Sequence, residues 1–368
     1  MPSGPLALIA ELTHRCPLHC VYCSNPLEMQ RAAAELATED WVRVFGEAAR
    51  LGCLHAHFTG GEPLARVDLT QLVAGARSAG LYVNLITSGL GLSEKRLSDL
   101  VEAGLEHIQL SFQGAREEFS DEIAGTRSHA FKLQLADVIR KFKIAFTVNV
   151  VVHRQNLDHL DEILAMVERL APDRLEIANV QYYGWALRNR EALLPTRQQL
   201  EKTQAAVETA QERFGGRIRI DYVVPDYYAR YPKACMGGWG RRLVLIDPAG
   251  QALPCHAAAV IPGMTFDNVR ERTLEWIWQE SAAFQKFRGE HWMPEPCRSC
   301  ERRGEDFGGC RCQALLLAGD ATATDPVCAL APGRPLVNEI LGRVNSSAAP
   351  VALSGPPPEG WIYRPNPR

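Results

Sequence analysis

Short apolar runs alternate with amphipathic segments along the first two hundred residues. The length of these runs and their separation by turn residues predict strands, and the run over 144–152 is rich in β-branched side chains. Residues 160–167 place apolar side chains at i, i+3, i+4 and i+7, which predicts a helix packed on one side. The predicted strands are residues 6–12, 54–58, 81–86, 107–112, 144–152 and 175–180, and further helices are predicted over 41–51 and 196–214. This alternation is typical of repeated βα units around a parallel sheet.

Six βα units are visible, without a convincing seventh and eighth. The pattern therefore predicts an α/β fold with a partial (β/α)6 TIM-like barrel over residues 1–214. Functional groups of such barrels gather at the carboxyl ends of the strands. Two candidate loops lie there, a cysteine loop over residues 16–23 after the first strand and the turn Gly60–Pro63 after the second.

The rest of the chain divides by composition. Residues 215–234 carry two glycines and then an aromatic, basic run, which predicts a bridge between domains. Residues 235–335 predict a small cysteine-rich domain that begins with a hairpin over 243–255. Residues 336–368 form a C-terminal segment whose composition from about residue 346 is typical of a disordered, solvated tail.

Charge and hydropathy exclude several classes of protein. The 368 residues include 40 Lys+Arg and 43 Asp+Glu, and this net charge of −3 argues against binding to nucleic acid through bulk positive charge. No stretch approaches the roughly 18 apolar residues of a membrane span. The first residues lack the basic start and apolar run of a signal peptide. We expect a cytoplasmic protein that binds neither nucleic acid nor a membrane.

The number and positions of the cysteines point to a further chemistry. Eleven cysteines in a cytosolic chain make a poor disulfide framework and favour metal or redox chemistry. Three lie in the N-terminal loop, and Cys53 stands alone, where we expect a small buried apolar side chain. The final third holds the other seven: Cys235, Cys255, Cys297, Cys300, Cys310, Cys312 and Cys328.

The N-terminal loop has the spacing C-x3-C-x2-C, formed by Cys16, Cys20 and Cys23. Three thiolates on one short loop suit three irons of a [4Fe–4S] cluster. With no fourth thiolate nearby, the fourth iron would stay open to a ligand, as in catalytic metal sites. The alternative is a structural zinc site, which usually takes four protein ligands.

This triplet, with Tyr22 before its last cysteine and a Gly-Gly-Glu-Pro turn one βα unit later, resembles the signature of the radical S-adenosylmethionine (SAM) superfamily. The resemblance implies that SAM chelates the open iron and is cleaved by the reduced cluster to methionine and a 5′-deoxyadenosyl radical. It implies SAM contacts from Gly60, Gly61, Glu62, Pro63, Ser111 and Asn149. For Asn149, a polar strand residue bonded within the barrel is the alternative.

The C-terminal array resembles the SPASM extension of peptide-modifying radical SAM enzymes. The resemblance implies two auxiliary Fe–S sites of [4Fe–4S] or [2Fe–2S] type. The first takes Cys235, Cys255 and Cys310, with Cys312 as its simplest fourth ligand, and the second takes Cys297, Cys300, Asp306 and Cys328. Asp306 stands where the family has a cysteine. A carboxylate is a harder and weaker ligand than a thiolate, and the alternative is a solvated Asp306 beside an open iron.

Residues 178–190, together with Asp306, resemble the peptide cyclases of pyrroloquinoline quinone (PQQ) biosynthesis. This resemblance implies a cross-link between a glutamate carbon and a tyrosine ring carbon of the precursor peptide PqqA, with the chaperone PqqD and a reductant such as flavodoxin as partners. The candidate substrate contacts, by ring stacking or by pairing with a carboxylate, are Tyr182, Tyr183, Trp185 and Arg188. The alternative is that they pack between the barrel and the extension.

Two other functions stay open at the level of the sequence. One is another SPASM-type peptide maturase, which would form thioethers or oxidise a sulfatase residue. The other is a non-catalytic zinc-binding module.

Overall fold

The computed structural model describes residues 4–346 and 360–367. Within these residues nine strands form one sheet in the order β7-β6-β5-β4-β3-β2-β1-β8-β9. The strands are β1 (Ala7–Thr13), β2 (His55–Gly60), β3 (Tyr82–Thr87), β4 (His107–Phe112), β5 (Ala145–Val152), β6 (Arg174–Asn179), β7 (Arg219–Val223), β8 (Leu243–Ile246) and β9 (Ala252–Leu253). All neighbours are parallel except β8 and β9, so the predicted α/β barrel of parallel strands is confirmed.

The sheet is wider than the sequence pattern predicts. The segment predicted as a bridge contains β7, which pairs in parallel with β6. This strand lies at the sheet edge and shows little of the apolar run that marks a buried strand. The predicted hairpin is present as β8 and β9, but β8 also pairs with β1 and so joins the cysteine-rich region to the barrel sheet.

Fourteen α-helices lie in the described part of the chain. They are α1 (Thr38–Arg50), α2 (Leu69–Ser78), α3 (Glu94–Glu102), α4 (Glu117–Ala124), α5 (His129–Ile139), α6 (Leu160–Leu170), α7 (Gly184–Arg188), α8 (Arg190–Leu193), α9 (Arg197–Phe214), α10 (Leu274–Glu280), α11 (Ala282–Gln285), α12 (Arg303–Asp306), α13 (Arg311–Ala318) and α14 (Arg334–Ser346). None of them is both long and apolar enough to cross a lipid bilayer.

The main core lies between the sheet and the helices that cover it. Phe58 of β2 stacks on Phe45 of α1, with ring centroids 5.3 Å apart, and both side chains are fully buried. Cys53 belongs to this core and is 4% exposed, as expected for a bystander thiol. Polar side chains on neighbouring strands form hydrogen bonds with each other. For example, Asn149 Nδ2 of β5 donates to Glu176 Oε2 of β6 over 2.9 Å.

The C-terminal segment differs from the predicted tail. Residues 336–346 belong to α14, and residues 347–359 and 368 of the predicted tail lie outside the described residues. Residues 360–367 pack against the cysteine loop, where Arg364 is only 1% exposed. Residues 360, 362, 363, 365 and 366 are exposed, as expected of a solvated tail. The expectation is wrong for Arg364, because its contact with a residue 350 positions earlier leaves no local pattern.

Candidate functional site

A cavity of about 290 Å³ opens at the carboxyl ends of the strands. The thiols of the cysteine loop line it, together with Gly60 and Gly61 of the turn after β2 and residues at or just after the ends of β3 to β6. The structure thus brings the two candidate loops to one cavity, as the parallel strand order requires.

The cysteine loop is held by backbone hydrogen bonds. Cys23 N donates to Cys20 O over 3.2 Å, and His19 N donates to Ala124 O of α4 over 2.7 Å. Burial, and after it the charge of a neighbouring thiolate, raise the pKa of Cys16 and of Cys20 to about 12. Such thiols are neutral on their own and become thiolates when a metal replaces the proton. The donor set therefore fits a metal cluster better than a reactive free thiol.

The two glycines of the turn are required by the chain itself. Gly60 has a φ of +120°, and a Cβ there would overlap Thr13 O. A Cβ on Gly61 would lie 2.6 Å from His14 O and closer still to Arg15 O. Gly61 N donates to Thr13 O over 2.6 Å. The turn therefore lies directly on the backbone that leads into the cysteine loop.

Glu62 and Pro63 have a different place. Both are buried, and neither lines the cavity. The Glu62 carboxylate accepts hydrogen bonds from Leu64 N, Thr87 Oγ1, Ser88 N and Ser88 Oγ, at 2.5 to 3.0 Å. Burial raises its pKa, and these hydrogen bonds act in the opposite direction. Glu62 thus fixes the turn after β2 to the end of β3.

The two candidate SAM contacts that lie on strands, Ser111 and Asn149, have different surroundings. Ser111 lies at the end of β4 and lines the cavity. Asn149 is bonded to Glu176, does not line the cavity and so matches the alternative of a polar residue bonded within the barrel.

The first predicted auxiliary set converges in the cysteine-rich region. Cys235, Cys255 and Cys310 line one pocket, and Cys312 Sγ lies 4.0 Å from Cys255 Sγ. Each of the four sulfurs has side-chain hydrogen-bond contact with two others, so they form a closed ring. Cys312, expected as the fourth ligand of the first set, lies with the other three sulfurs.

The second set also converges. Cys297, Cys300, Asp306 and Cys328 line a single small pocket. Asp306 is 8% exposed, and its Oδ1 accepts from Gly308 N over 2.9 Å. Burial raises the pKa of this carboxyl, so Asp306 is a buried carboxylate among thiols and not a solvated surface group.

Within the described residues no three His, Cys, Asp or Glu side chains are arranged to hold a single metal ion. A cluster distributes its thiolates over several iron atoms, so the ring of four sulfurs and the second set fit clusters by donor type and convergence.

The aromatic segment after β6 is buried between these sites. Tyr182 packs on Tyr227 with centroids 5.1 Å apart, and Tyr183 Oη lies 2.9 Å from Cys310 Sγ. Trp185 is 7% exposed, with the Arg188 guanidinium 5.2 Å from the centroid of its ring. For Tyr182, Tyr183 and Trp185 this corresponds to the packing alternative, and Arg188 lies at a pocket separate from the barrel cavity.

Several residues of the cavity were not singled out by sequence reasoning, and one of them, Arg364, lines it beside the three N-terminal thiols. A basic residue in a proline-rich tail carries no periodic or spacing signal that could have marked it.

Comparison with known proteins matches the barrel and the cysteine-rich region to two separate families of domains. Residues 10–167 match the radical SAM superfamily, and residues 235–301 match the iron-sulfur cluster-binding domain SPASM. The chain is similar to the PqqA peptide cyclase of Bradyrhizobium diazoefficiens, at 56% identity over 89% of this chain and 87% of that protein. It is 55% identical to the PqqA peptide cyclase of Rhodopseudomonas palustris over 98% of this chain and 94% of that one.

Among solved structures, SuiB of Streptococcus suis bound to S-adenosylmethionine aligns with a TM-score of 0.74 at 20% identity, over 89% of this chain and 78% of that one. SuiB bound to its precursor peptide SuiA aligns with a TM-score of 0.73 at 20% identity, over 89% and 76%. These likenesses show the shared fold.

Proposed function

The chain belongs to the PqqA peptide cyclase family of radical SAM enzymes, and we propose that it joins a glutamate side-chain carbon to a tyrosine ring carbon within PqqA. A precursor peptide is accordingly its substrate, and the product is an early intermediate of PQQ. The observation that carries the radical chemistry is the convergence of Cys16, Cys20 and Cys23 with the glycine turn on one cavity.

The residues divide into three proposed cofactor sites. The N-terminal thiols hold a [4Fe–4S] cluster, and the two C-terminal sets hold auxiliary Fe–S clusters. When bound, the N-terminal cluster and SAM supply hydrogen abstraction from an unactivated carbon. The chain contributes the backbone of Gly60 and Gly61 and the Ser111 hydroxyl as SAM contacts in a cavity that restricts water.

Two further partners belong to the proposal. PqqD presents the peptide, and a low-potential protein such as flavodoxin delivers the electron. Family membership supports both partners. The cyclisation needs a peptide that is held in place, which PqqD would provide, and an external reductant, which flavodoxin would provide.

The test is a reconstitution under anaerobic conditions. Reduced protein incubated with PqqA, PqqD and SAM is expected to give a PqqA product lighter by two hydrogens, with the change localised to Glu and Tyr by fragmentation. Cys16→Ala serves as the control without the N-terminal cluster. A change localised to a cysteine or serine would favour another peptide maturase. SAM cleavage with unmodified PqqA would overturn the assignment.

Metal analysis separates the proposal from a zinc-binding module. Three clusters of the usual sizes correspond to roughly eight to twelve irons per chain. Zinc without visible colour in anaerobically purified protein would contradict all three proposed sites.

For the second auxiliary site we predict that Asp306→Ala changes both the spectrum and the potential of that cluster, because a ligand oxygen is lost. Electron paramagnetic resonance of the reduced protein measures both. Glu305→Ala is the matched control, since Glu305 is an exposed carboxylate of the same helix, paired with Arg302. An unchanged second cluster in Asp306→Ala would show that Asp306 is not a ligand.

A further inference from the structure

Residues 360–367 form a strap across the cysteine loop. Cys16 N donates to Asn366 Oδ1 over 3.0 Å, and His19 Nδ1 donates to Arg364 O over 2.7 Å. Asn189 donates to Ile362 O over 2.8 Å and accepts from Ile362 N over 3.0 Å. The strap thus contacts the loop between its first two cysteines and is also fixed at a residue that follows α7.

The strap delivers one buried cation to the cavity. The Arg364 side chain is 1% exposed and lines the cavity with Cys16, Cys20 and Cys23. Its Nη2 donates to His14 O and its Nη1 to Asn366 Oδ1 over 3.3 Å. Its Nε has no hydrogen-bond partner within the described residues. A buried donor of a charged group that finds no acceptor is costly. Because Arg364 lines the cavity together with the three thiols, an anionic group bound there would compensate its charge.

The other charges around the thiols do not duplicate this one. Among the described residues that line the cavity, Arg364 is the basic one, and no acidic side chain lines it. Lys132, buried on α5, donates to Gln113 Oε1 over 2.7 Å and does not line the cavity. The carboxylates of Glu11 and Glu62 do not line it either. Arg364 is therefore the cation that faces the whole thiol triplet.

We propose that Arg364 is a positioning residue of the N-terminal cluster site, whose guanidinium compensates negative charge there and raises the cluster's reduction potential. This rests on the proposed function, since it assumes that the three thiols hold a cluster. In the step concerned, the cluster gains one electron and an external low-potential donor loses one. The reduced state carries one more negative charge, so the charge of a fixed, buried cation beside the cluster stabilises it more than the oxidised state.

The test is a redox titration of the holoenzyme followed by electron paramagnetic resonance. Arg364→Gln is expected to lower the ratio of reduced to oxidised N-terminal cluster about tenfold at a fixed potential, a shift of about 59 mV for one electron. Arg364→Lys keeps the charge and is expected to stay close to the native potential. The auxiliary clusters are an internal control and should not shift, and Arg343→Gln, on the exposed face of α14, should change no cluster.

The potential and iron content of the two Arg364 variants distinguish a role of its charge from a purely structural role. A native potential in Arg364→Gln with full iron content would overturn it. If Arg364→Gln loses N-terminal iron, then Arg364→Lys must retain both iron and native potential, and its failure to do so would overturn the role of charge. The proposed function can fail separately, because native protein that leaves PqqA unmodified still yields the comparison of potentials.

Discussion

Gly61→Ala is expected to abolish SAM cleavage and to remove iron from the N-terminal site. The added Cβ would lie 2.6 Å from His14 O and still closer to Arg15 O. Both obstacles are backbone atoms, and Arg15 directly precedes Cys16, so relief of the overlap must move the cysteine loop. Overpacking of this kind costs about 1–3 kcal/mol, and a loop that must place three thiolates around one cluster has little tolerance for displacement.

The measurement combines anaerobic iron counting, thermal unfolding and the yield of 5′-deoxyadenosine. Gly342→Ala is a matched control, because Gly342 lies in α14 with no atom within 4 Å of an added Cβ. An alanine in a helix interior is favoured by roughly 0.5–1 kcal/mol over glycine, so the control variant should unfold at a slightly higher temperature. It should also retain the native activity. Full activity in Gly61→Ala would show that the loop adapts to the extra atom.

The position of the Gly-Gly-Glu-Pro turn beside the cysteine loop could be predicted from the sequence, but the structural reason for its two glycines could not. The Gly-Gly-Glu-Pro motif and its distance from the cysteine loop were visible in the sequence, and both loops do line one cavity. The reason for the glycines was not visible. The structure shows that they contact the backbone at the end of β1 and that Glu62 is bonded to the end of β3. Such contacts depend on which strands are neighbours, which only the fold determines.

The same distinction holds for the fold. The six predicted strands are present with boundaries within two residues, because buried parallel strands leave apolar runs of recognisable length. The edge strand β7 was missed, since an edge strand is paired on one side and needs fewer apolar positions. The strap around Arg364 was missed because its partners are far away in the sequence.

The resemblance of the cysteine array to the SPASM pattern implied a set of Asp306 with three cysteines, and the structure brings these four residues to one pocket. It could not indicate that Tyr183 contacts the other site, since an aromatic residue after a barrel strand suggests a substrate contact as readily as a structural one. Here the tyrosine ring is buried and its hydroxyl is directed at a sulfur.

The segment that carries Tyr183 connects the two halves of the candidate site. Trp185 N and Ala186 N donate to Cys23 O over 3.0 and 3.1 Å, which ties the start of α7 to the cysteine loop. Two residues earlier, Tyr183 Oη lies 2.9 Å from Cys310 Sγ. The N-terminal and first auxiliary sites are therefore joined by a few consecutive residues whose positions cannot change independently.

Tyr183→Phe is accordingly expected to lower the reduction potential of the first auxiliary cluster and to slow peptide cross-linking. A sulfur bound to metal can only accept in this contact, so the hydroxyl donates to it. Hydrogen bonds to cluster sulfurs help to set the potential, because they stabilise the more electron-rich, reduced state. Loss of the donor should decrease the ratio of reduced to oxidised cluster several-fold at a fixed potential, while the N-terminal cluster keeps its own potential.

Tyr182→Phe provides the control for this change. Tyr182 is the neighbouring residue, is equally buried, and its hydroxyl has no hydrogen-bond partner within the described residues. Its removal deletes the same atom without changing a contact to sulfur, so both potentials and the rate of cross-linking should stay near native. Equal shifts in the two variants would assign the effect to packing of the segment. A shift confined to Tyr183→Phe would assign it to the hydrogen bond, because Tyr182→Phe deletes an equally buried hydroxyl that contacts no sulfur in the described residues.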